Sequence, residues 1–423
     1  MVWGGIPVLR ARSLRWWVAV AWVVALAAIG VRLLILAAGD RSVFPIFQHA
    51  GRGWLDQADL YPEDQKPPGY PLFRYSPPVA AGFVPLALLP TKAGDLVWRA
   101  VNAAALLGGF ALFLRTLPDR RLTPRQTAAA FALLLPATVS GLGNGQCNAL
   151  VIGLILVGYA AAGERRFTLS AVALAAATLL KLYPVAPALL LIALHPRQLG
   201  PRYALALVVG FALPFILADP AYVARQFDLW ARYFLNEDRS GWPVENANLD
   251  LQSVVTWWVD PMTTPQYRVI EVAGGLLFAA LTTAAARRLG SVDRAALLAL
   301  GLGCVWMTTL GPATESPTYL LLAPPTALAV VRAWARRPAD WVGRTLTGIA
   351  WALPVSFQLA QFYRPLFDAY RTTGPQPVAG LVLAAALIWD TWTGRSPAPA
   401  PVPPRRVPAG VGACAHPMPG ESP

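Results

Sequence analysis

Three charged residues stand at positions where an apolar sequence seldom carries charge. Asp40 follows the first long apolar run, Lys181 interrupts another apolar run, and Glu315 lies between two prolines. A carboxylate at the end of a membrane helix is partly desolvated, which suits a general base. A lysine among apolar residues is costly to maintain, and its ammonium binds phosphate as a point charge. These residue types predict acid–base chemistry beside a bound phosphate.

Each of these residues also has a plainer interpretation, and the residue types alone leave both open. Asp40 could be a polar helix end or the ion-pair partner of Arg41. Lys181 could extend its ammonium to the membrane interface, and Glu315 could be a solvated loop carboxylate.

Amide side chains form a second group of candidates. Gln146 and Asn148 lie in the turn 143–148, and Asn248 and Gln252 lie in a later polar segment that ends in two tryptophans. Amides donate to and accept from sugar hydroxyls, and aromatic faces beside them suit carbohydrate. The turn amides could instead satisfy local backbone groups, and tryptophan is also common at membrane interfaces.

The composition of the 423 residues is that of a polytopic membrane protein. Hydrophobic residues make up 56% of the chain and charged residues only 13%, about half of the charge in a typical soluble protein. Such a chain is too apolar to be disordered, and its three cysteines are too few for a disulfide scaffold. The net charge of +13 could indicate nucleic-acid binding, but arginine-rich cytoplasmic loops explain it better in this apolar background.

Apolar runs of membrane-spanning length alternate with basic loops and with two longer polar segments. A helix needs about 20 apolar residues to cross the hydrocarbon core. Arginines before the first run predict a cytoplasmic N-terminus, and the polar segments 40–78 and 220–267 are then the external loops. Spans are expected at 17–38, 96–114, 127–143, 148–162, 203–218, 269–286, 295–310, 319–331, 345–362 and 378–389, with a short re-entrant helix at 79–90.

The run 168–194 has basic residues at both ends. A single helix would place these arginines on opposite sides of the membrane, so we expect a helical hairpin that is broken at 181–187. Proline removes a backbone donor there, and an open backbone at membrane depth needs a protein-lined cavity.

We therefore expect an all-α polytopic membrane protein with about 11–12 transmembrane or re-entrant helices and two longer extracytoplasmic loops. Residues 1–16 are expected to be a basic cytoplasmic N-terminus, 17–392 the membrane domain, and 393–423 a disordered, proline-rich cytoplasmic tail. Cys414 and His416 lie in that tail, so no metal site is expected. The unusual polar residues gather at the external rim, where we expect the site.

Several short motifs follow one another in a recognisable order. They are Asp40…Val43-Phe44, Ala50-Gly51-Arg52, Asp59-Leu60-Tyr61, Tyr75-Ser76-Pro77-Pro78, Pro85-Leu86, Gly145-Gln146…Asn148, Lys181-Leu182-Tyr183-Pro184 and Asn248…Gln252-Ser253. In this order the chain resembles glycosyltransferase family 87, a bacterial family of the GT-C superfold that includes polyprenol-phosphate-mannose-dependent α-mannosyltransferases. The resemblance covers residues 17–389.

The resemblance implies a transferase that moves a hexose, with mannose the expected sugar, from a polyprenyl-phosphate sugar donor with inversion. It implies a glycolipid or glycan acceptor at the outer face of the bacterial plasma membrane, surrounding membrane lipids, and neither a nucleic-acid partner nor a cofactor. Asp40 corresponds to the family's catalytic aspartate. The expected phosphate ligands are Lys181, Arg74 and Arg239, and the expected sugar or acceptor ligands are Tyr75, Gln146, Asn148, Asn248 and Gln252.

One late motif departs from the family pattern. Family members often carry Ser-Pro-x-Ser-Trp-x-His-His at the end of a late span, whereas this chain has Glu315-Ser316-Pro317-Thr318-Tyr319 without histidine. We expect Glu315 to be the second catalytic group there. The alternatives are a lipid-linked sugar flippase or transporter and a catalytically inactive scaffold. A transporter usually shows internal repeats and polar groups at the midplane, and neither is evident in the sequence.

Overall fold

A computed structural model describes residues 6–37, 42–61, 73–118, 122–236, 249–311, 314–336 and 338–393. Of the candidate residues, Asp40, Arg239 and Asn248 lie outside these ranges, as does the tail from residue 394 onward. The described residues form α-helices, two other short helices and connecting turns, with no strand among them. The expected all-α architecture is therefore confirmed.

Most of the α-helices follow the apolar runs of the sequence, whereas three others lie within the polar segments 40–78 and 220–267 that were expected to be loops. The bounds of the α-helices are α1 (Ile6–Ile35), α2 (Phe44–Leu55), α3 (Pro77–Ala87), α4 (Thr91–Arg115), α5 (Pro124–Asn144), α6 (Asn148–Gly163), α7 (Phe167–Leu180), α8 (Val185–Leu194), α9 (Pro196–Ala212), α10 (Pro214–Leu217), α11 (Pro220–Asn236), α12 (Leu251–Trp258), α13 (Thr264–Leu289), α14 (Val292–Val305), α15 (Ala323–Ala335), α16 (Trp341–Ala360), α17 (Arg364–Arg371) and α18 (Pro375–Thr393).

Length and hydropathy make the chain a multi-pass membrane protein. Among the described residues, six helices are long and apolar enough to cross a membrane, or seven if the bent pair of α17 and α18 counts as one span. Four shorter apolar helices, α3, α6, α7 and α8, accompany them. With the bent pair counted as one span, the spans and the short apolar helices of the described residues number eleven, the lower end of the expected 11–12.

The run after Arg166 folds as the expected hairpin. α7 ends at Leu180, α8 begins at Val185, and the rings of Phe167 and His195 lie 5.1 Å apart at the far ends of the two helices. Both flanks therefore lie at one end of the bundle. We call this end, with Arg165, Arg166 and His195, the basic end. The break follows from Pro184, which cannot continue the hydrogen bonding of α7.

The bundle centre is built from helices that approach closely. A Cβ added at Gly153 of α6 would lie 2.4 Å from the Ala105 carbonyl oxygen of α4, so only glycine allows this contact. Small residues give membrane helices the close backbone contact that holds them together. α6 is apolar on all sides and mostly buried, which makes it a central helix.

The span expected at 319–331 is not one α-helix. A 3-10 helix, Ser316–Leu322, precedes α15, because Pro324 and Pro325 lack the N–H groups that an α-helix continuing through them would need. In the first turn of α15 those N–H groups have no partner in any case, so the prolines are tolerated there. α14 likewise ends in a π-helical turn, Trp306–Leu310.

Candidate active site

Four polar side chains form one continuous row of hydrogen bonds, which we call the polar chain. Lys181 Nζ donates to Asn148 Oδ1 at 2.8 Å, and Asn148 Nδ2 donates to Gln146 Oε1 at 2.6 Å. Gln146 Nε2 then donates to Glu315 Oε2 at 2.7 Å. Every donor points from the lysine toward the glutamate, so the chain joins a cation to a carboxylate through two oriented amides.

The middle of the polar chain is buried and its ends are open. Asn148 is 0% exposed and Gln146 is 6% exposed, whereas Lys181 is half-buried and Glu315 is exposed. Buried amides cost free energy unless their hydrogen bonds are satisfied, and here each amide has both a donor and an acceptor partner. The arrangement holds the two amides rigidly and leaves the charged ends accessible.

The two middle residues of the polar chain, Gln146 and Asn148, lie at the turn between α5 and α6, and this turn is anchored on α4. Gly145 adopts the left-handed conformation with φ +75°, and its carbonyl accepts from Trp98 Nε1 at 2.7 Å. The Arg99 guanidinium donates to the Gly143 carbonyl at 2.8 Å and to Asp95 Oδ1 at 2.9 Å. Asp95 and Arg99 are 1% and 7% exposed, so this is a buried ion pair that fixes the turn.

Asp95 and Arg99 are functional residues that no motif of the sequence indicated. The available signal was an acid and an arginine four residues apart in an apolar helix, the spacing at which side chains meet. Charges within a membrane helix usually pair or serve a function, and that expectation applies to this pair.

The segment that follows Asp40 packs on the same turn. Arg99 Nη2 donates to Ser42 Oγ at 3.0 Å, and the Val43 amide donates to the Asn144 carbonyl at 2.9 Å. A Cβ added at Gly145 would lie 2.9 Å from Ser42 Oγ, so the contact is close. Asp40 lies outside the described residues, two positions before Ser42 in the sequence.

Tyr75 lies beside the polar chain against an aromatic wall. Its hydroxyl is 3.9 Å from Cys147 Sγ, and its ring centroid is 4.7 Å from that of Phe47. The Tyr61 hydroxyl donates to the Tyr75 carbonyl at 2.6 Å. Desolvation raises the pKa of Tyr75 well above its ordinary value, and the neighbouring Cys147 and Glu315 raise it further. Tyr75 therefore keeps its proton and remains a hydrogen-bond donor.

The broken end of α7 holds Lys181 in place. The Ser76 hydroxyl donates to the Leu179 carbonyl at 2.8 Å, and the Lys181 amide donates to the Ala177 carbonyl at 3.1 Å. Carbonyls in the last turn of a helix lack intrahelical partners, and Ser76 supplies one here. The motif that begins at Tyr75 thus supports the lysine as well as lining the site.

The end of the polar segment 220–267 holds Glu315 from the other side. The Leu249 amide donates to the Thr314 carbonyl at 2.7 Å, and the Tyr319 hydroxyl donates to the Leu249 carbonyl at 2.6 Å. Asp250, which is 1% exposed, caps α12 by accepting from the Ser253 amide at 2.9 Å. Glu315 is therefore placed by contacts that join residues far apart in the sequence.

The structure brings together five of the ten candidate residues: Tyr75, Gln146, Asn148, Lys181 and Glu315. Two other candidates, Arg74 and Gln252, form hydrogen bonds outside the polar chain.

Arg74 Nε donates to the Tyr233 hydroxyl of α11 at 3.1 Å. Gln252 Nε2 donates to the Met262 carbonyl at 3.2 Å, so this amide supports a loop. The roles expected for these residues, and for the three candidates outside the described ranges, stay predictions.

The arrangement offers a cation and a carboxylate at either end of a rigid amide link, with a tyrosine hydroxyl alongside. Such a site can bind an anionic group at the ammonium and a hydroxyl-bearing group at the carboxylate, while the buried amides hold the two ends in place. Within the described ranges, no three histidine, cysteine, aspartate or glutamate side chains are grouped as metal ligands would be.

Comparisons with known proteins identify the family. The model of glycosyltransferase family 87 matches residues 73–324, and no curated protein matches the chain. Among solved structures, ArnT from Cupriavidus metallidurans, bound to undecaprenyl phosphate, is similar at 14% identity. The match covers 88% of this chain and 77% of ArnT, with a TM-score of 0.39. The family match includes the turn between α5 and α6, the break after α7 and the segment of Glu315, and more than half of the chain. The chain therefore belongs to glycosyltransferase family 87 and is a membrane glycosyltransferase.

Proposed function

We propose that this glycosyltransferase takes a hexose, with mannose as the first choice, from a polyprenyl-phosphate donor and transfers it with inversion to a glycolipid or glycan acceptor. The reaction takes place at the extracytoplasmic face of a bacterial plasma membrane. This assignment extends the family membership to a donor, an acceptor class and a side of the membrane.

The polar chain is the observation that supports this proposal. Lys181 directly follows α7 at the break in an apolar bundle, and in this proposal a lipid-borne phosphate that approaches between the helices meets its ammonium. A soluble nucleotide-sugar would need a polar groove, whereas a polyprenyl tail lies among apolar helices. The exposed apolar side chain of Leu189, in the helix α8 that follows the break, suits such a tail.

The proposed step balances in protons and charge. Asp40 removes the proton from the acceptor hydroxyl while that oxygen attacks the anomeric carbon from the face opposite the phosphate. The bond between the anomeric carbon and the phosphate oxygen breaks, and the electron pair leaves with the polyprenyl phosphate. The donor carries one negative charge as a phosphodiester and leaves with two as a phosphomonoester, while the proton remains on Asp40.

Lys181 stabilises the charge that develops on the leaving phosphate. An ammonium in a partly dry site acts more strongly than in water, because the dielectric constant is lower. Arg74 and Arg239 are the further cations in this proposal. Gln146 and Asn148 orient Lys181 and Glu315, and Glu315 and Tyr75 bind hydroxyls of the sugar or the acceptor.

The segment at Ser42 supports the role of Asp40. Ser42 accepts a hydrogen bond from Arg99, and the Val43 amide donates to the carbonyl of Asn144. Asn144 lies in the turn that also carries Gln146 of the polar chain. We therefore assign Asp40, two positions before Ser42 in the sequence, as the base of the same site.

The deciding experiment uses the purified full-length chain in lipid nanodiscs. Polyprenyl-phosphate mannose and polyprenyl-phosphate glucose are supplied with a lipid and glycan extract, and release of polyprenyl phosphate is measured. Asp40→Asn should reduce release by about 10²-fold or more, as expected for a lost general base. Asp56→Asn, a carboxylate change in the exposed turn after α2, is the matched control and should leave release unchanged.

The outcomes separate the alternatives. A flippase or transporter, reconstituted in vesicles, would move a labelled polyprenyl-phosphate sugar across the membrane equally well with Asp40 and with Asp40→Asn. An inactive scaffold would release nothing with any donor, even in the wild-type protein. Full release by Asp40→Asn would overturn the assignment of the base.

A further inference from the structure

A polar hollow lies at the basic end of the bundle, away from the polar chain. It has a volume of about 360 Å³ and is lined by Arg165, Arg166, Phe167, Thr168, Leu169 and Arg202. α7 has 14 residues, so its length of about 21 Å separates this hollow from Lys181. The hollow is not part of the candidate active site.

Three arginines give the hollow its charge. Arg165 pairs with Asp293 at 3.0 Å, and Arg166 lies 3.8 Å from Glu164. Arg202 donates to the carbonyl of Gln198, one turn earlier in α9. Both ion pairs are solvent-exposed, and exposed ion pairs exchange partners at little cost, so the guanidinium groups of Arg165 and Arg166 can turn to an anion. The Arg202 guanidinium, which bonds to a carbonyl of its own helix, can do the same.

The start of α7 adds backbone donors to the same hollow. The first intrahelical bond of α7 runs from the Ser170 amide to the Arg166 carbonyl, so the amides of Phe167, Thr168 and Leu169 have no carbonyl partner within the helix. No side chain caps this end. Thr168 also contributes a hydroxyl.

An exposed apolar surface begins next to the arginines. On α9, Leu205 and Val209 follow Arg202 at helical spacing on one face, and Val208 beside them is 65% exposed. On α7, Leu169 and Val172 are exposed one turn apart. α7 and α9 pack against each other, so the two apolar faces flank one seam below the hollow. A ligand there meets cations at one end and hydrocarbon surface at the other.

We propose that this hollow binds the phosphate of an anionic phospholipid, whose acyl chains lie along the seam between α7 and α9. Basic pockets between membrane helices hold the headgroups of such lipids, and arginine matches the geometry of phosphate oxygens. The apolar seam favours a lipid over a free phosphate. The bound lipid joins the α6–α7 turn to α9 and so stabilises the hairpin from the end opposite Lys181.

The test is native mass spectrometry of the detergent-purified full-length protein with dioleoyl phosphatidylglycerol, and with dioleoyl phosphatidylcholine for comparison. The double variant Arg166→Gln/Arg202→Gln should bind phosphatidylglycerol about 30-fold more weakly, from roughly fivefold for each arginine near a membrane surface. Arg287→Gln removes an exposed arginine of α13 and is the control, with expected binding equal to that of the wild type. The wild-type protein should prefer phosphatidylglycerol to phosphatidylcholine, and inorganic phosphate should displace phosphatidylglycerol.

Equal binding of phosphatidylglycerol by the double variant and by the control would overturn the proposal. Binding of inorganic phosphate without any retention of phosphatidylglycerol would overturn the lipid as its source. The competition by phosphate uses the wild-type protein alone. A failure of phosphate to displace the lipid would therefore count against the proposal even if the double variant did not fold.

Discussion

Replacement of Lys181 tests the polar chain most directly, because one residue supplies both a charge and a hydrogen bond. The ammonium donates to Asn148 Oδ1 at 2.8 Å, and Asn148 is fully buried. Lys181→Gln keeps an N–H donor for Asn148 and removes the charge. Lys181→Met removes both, and its side chain has nearly the same length.

The expected loss of activity follows from the charge on the leaving phosphate. A unit charge about 4 Å from the ammonium, at an effective dielectric constant of about 20, interacts with roughly 4 kcal/mol. If about half of the new charge has formed in the transition state, Lys181→Gln costs about 2 kcal/mol, or roughly 30-fold in kcat. The full charge corresponds to about 10³-fold, which is also the loss seen when one transition-state donor is removed.

The expected loss of stability distinguishes the two variants. Lys181→Met leaves Asn148 Oδ1 buried without a donor, which costs about 1–3 kcal/mol. Lys181→Gln should unfold at nearly the temperature of the wild-type protein. The pair of variants thus separates the role of the charge from the role of the hydrogen bond.

The assay is single-turnover release of polyprenyl phosphate at saturating donor, with thermal unfolding of the same samples followed by tryptophan fluorescence. Lys181→Arg, which restores a cation, should recover part of the rate. The reasoning is refuted if Lys181→Gln folds normally and keeps more than about a third of the wild-type kcat. Such a small loss would be well below the roughly 30-fold to 10³-fold expected when the ammonium stabilises the leaving phosphate.

Three further changes have expected outcomes. Gly145→Ala should cost about 1–2 kcal/mol, because alanine is strained at φ +75°, and should lower activity, whereas Gly143→Ala meets open space and should have a small effect. Arg99→Met should lower the free energy of unfolding by about 3–5 kcal/mol, because it leaves the buried Asp95 carboxylate unpaired. Desolvation acts to raise the pKa of Asp340, but hydrogen bonds to its carboxylate outweigh desolvation and hold the pKa below its ordinary value. The contribution of Asp340 is therefore present at neutral pH and is lost as the pH falls through this lowered pKa. Asp340→Ala should cost about 1 kcal/mol at pH 7 and progressively less below about pH 4.

Chemical or thermal unfolding in detergent measures the stability of all three variants, and Gly143→Ala and Arg364→Met are the controls for the first two. Arg364→Met breaks an exposed ion pair with Asp368 and should change stability by less than about 1 kcal/mol. An equal effect of Arg364→Met and Arg99→Met would contradict the buried-pair argument. A cost of Asp340→Ala that stays constant between pH 7 and pH 3 would contradict a lowered pKa.

Much of the architecture could be predicted from the sequence, because hydrocarbon imposes simple rules. Apolar length predicted the helices, and the family motifs predicted membership of glycosyltransferase family 87, which the family match confirms. The hairpin was predicted from charge and proline, because a single helix would have placed the arginines of the two flanks on opposite sides of the membrane. The type of helix was harder to predict from the sequence, because the span expected at 319–331 begins with a 3-10 helix before α15.

The candidate site was predictable as a set of residues and not as an arrangement. Glu315 and Gln146 are 169 positions apart in the sequence, and no local rule relates them. Their contact depends on how the segment after α14 packs against the turn between α5 and α6. The solvated-carboxylate interpretation of Glu315 could not be decided without that packing.

The sequence by itself determined that the chain is a helical membrane protein, roughly where its apolar helices lie, and that a lysine interrupts an apolar run. These features depend on the free energy of transfer into hydrocarbon and on proline, which act residue by residue. Only the tertiary structure decided that Lys181, Asn148, Gln146 and Glu315 form one oriented row, and that the buried pair Asp95–Arg99 holds the turn beneath it. Hydrogen bonds need their atoms within about 3 Å, and across a bundle that distance is set by the packing of helices that are remote in sequence.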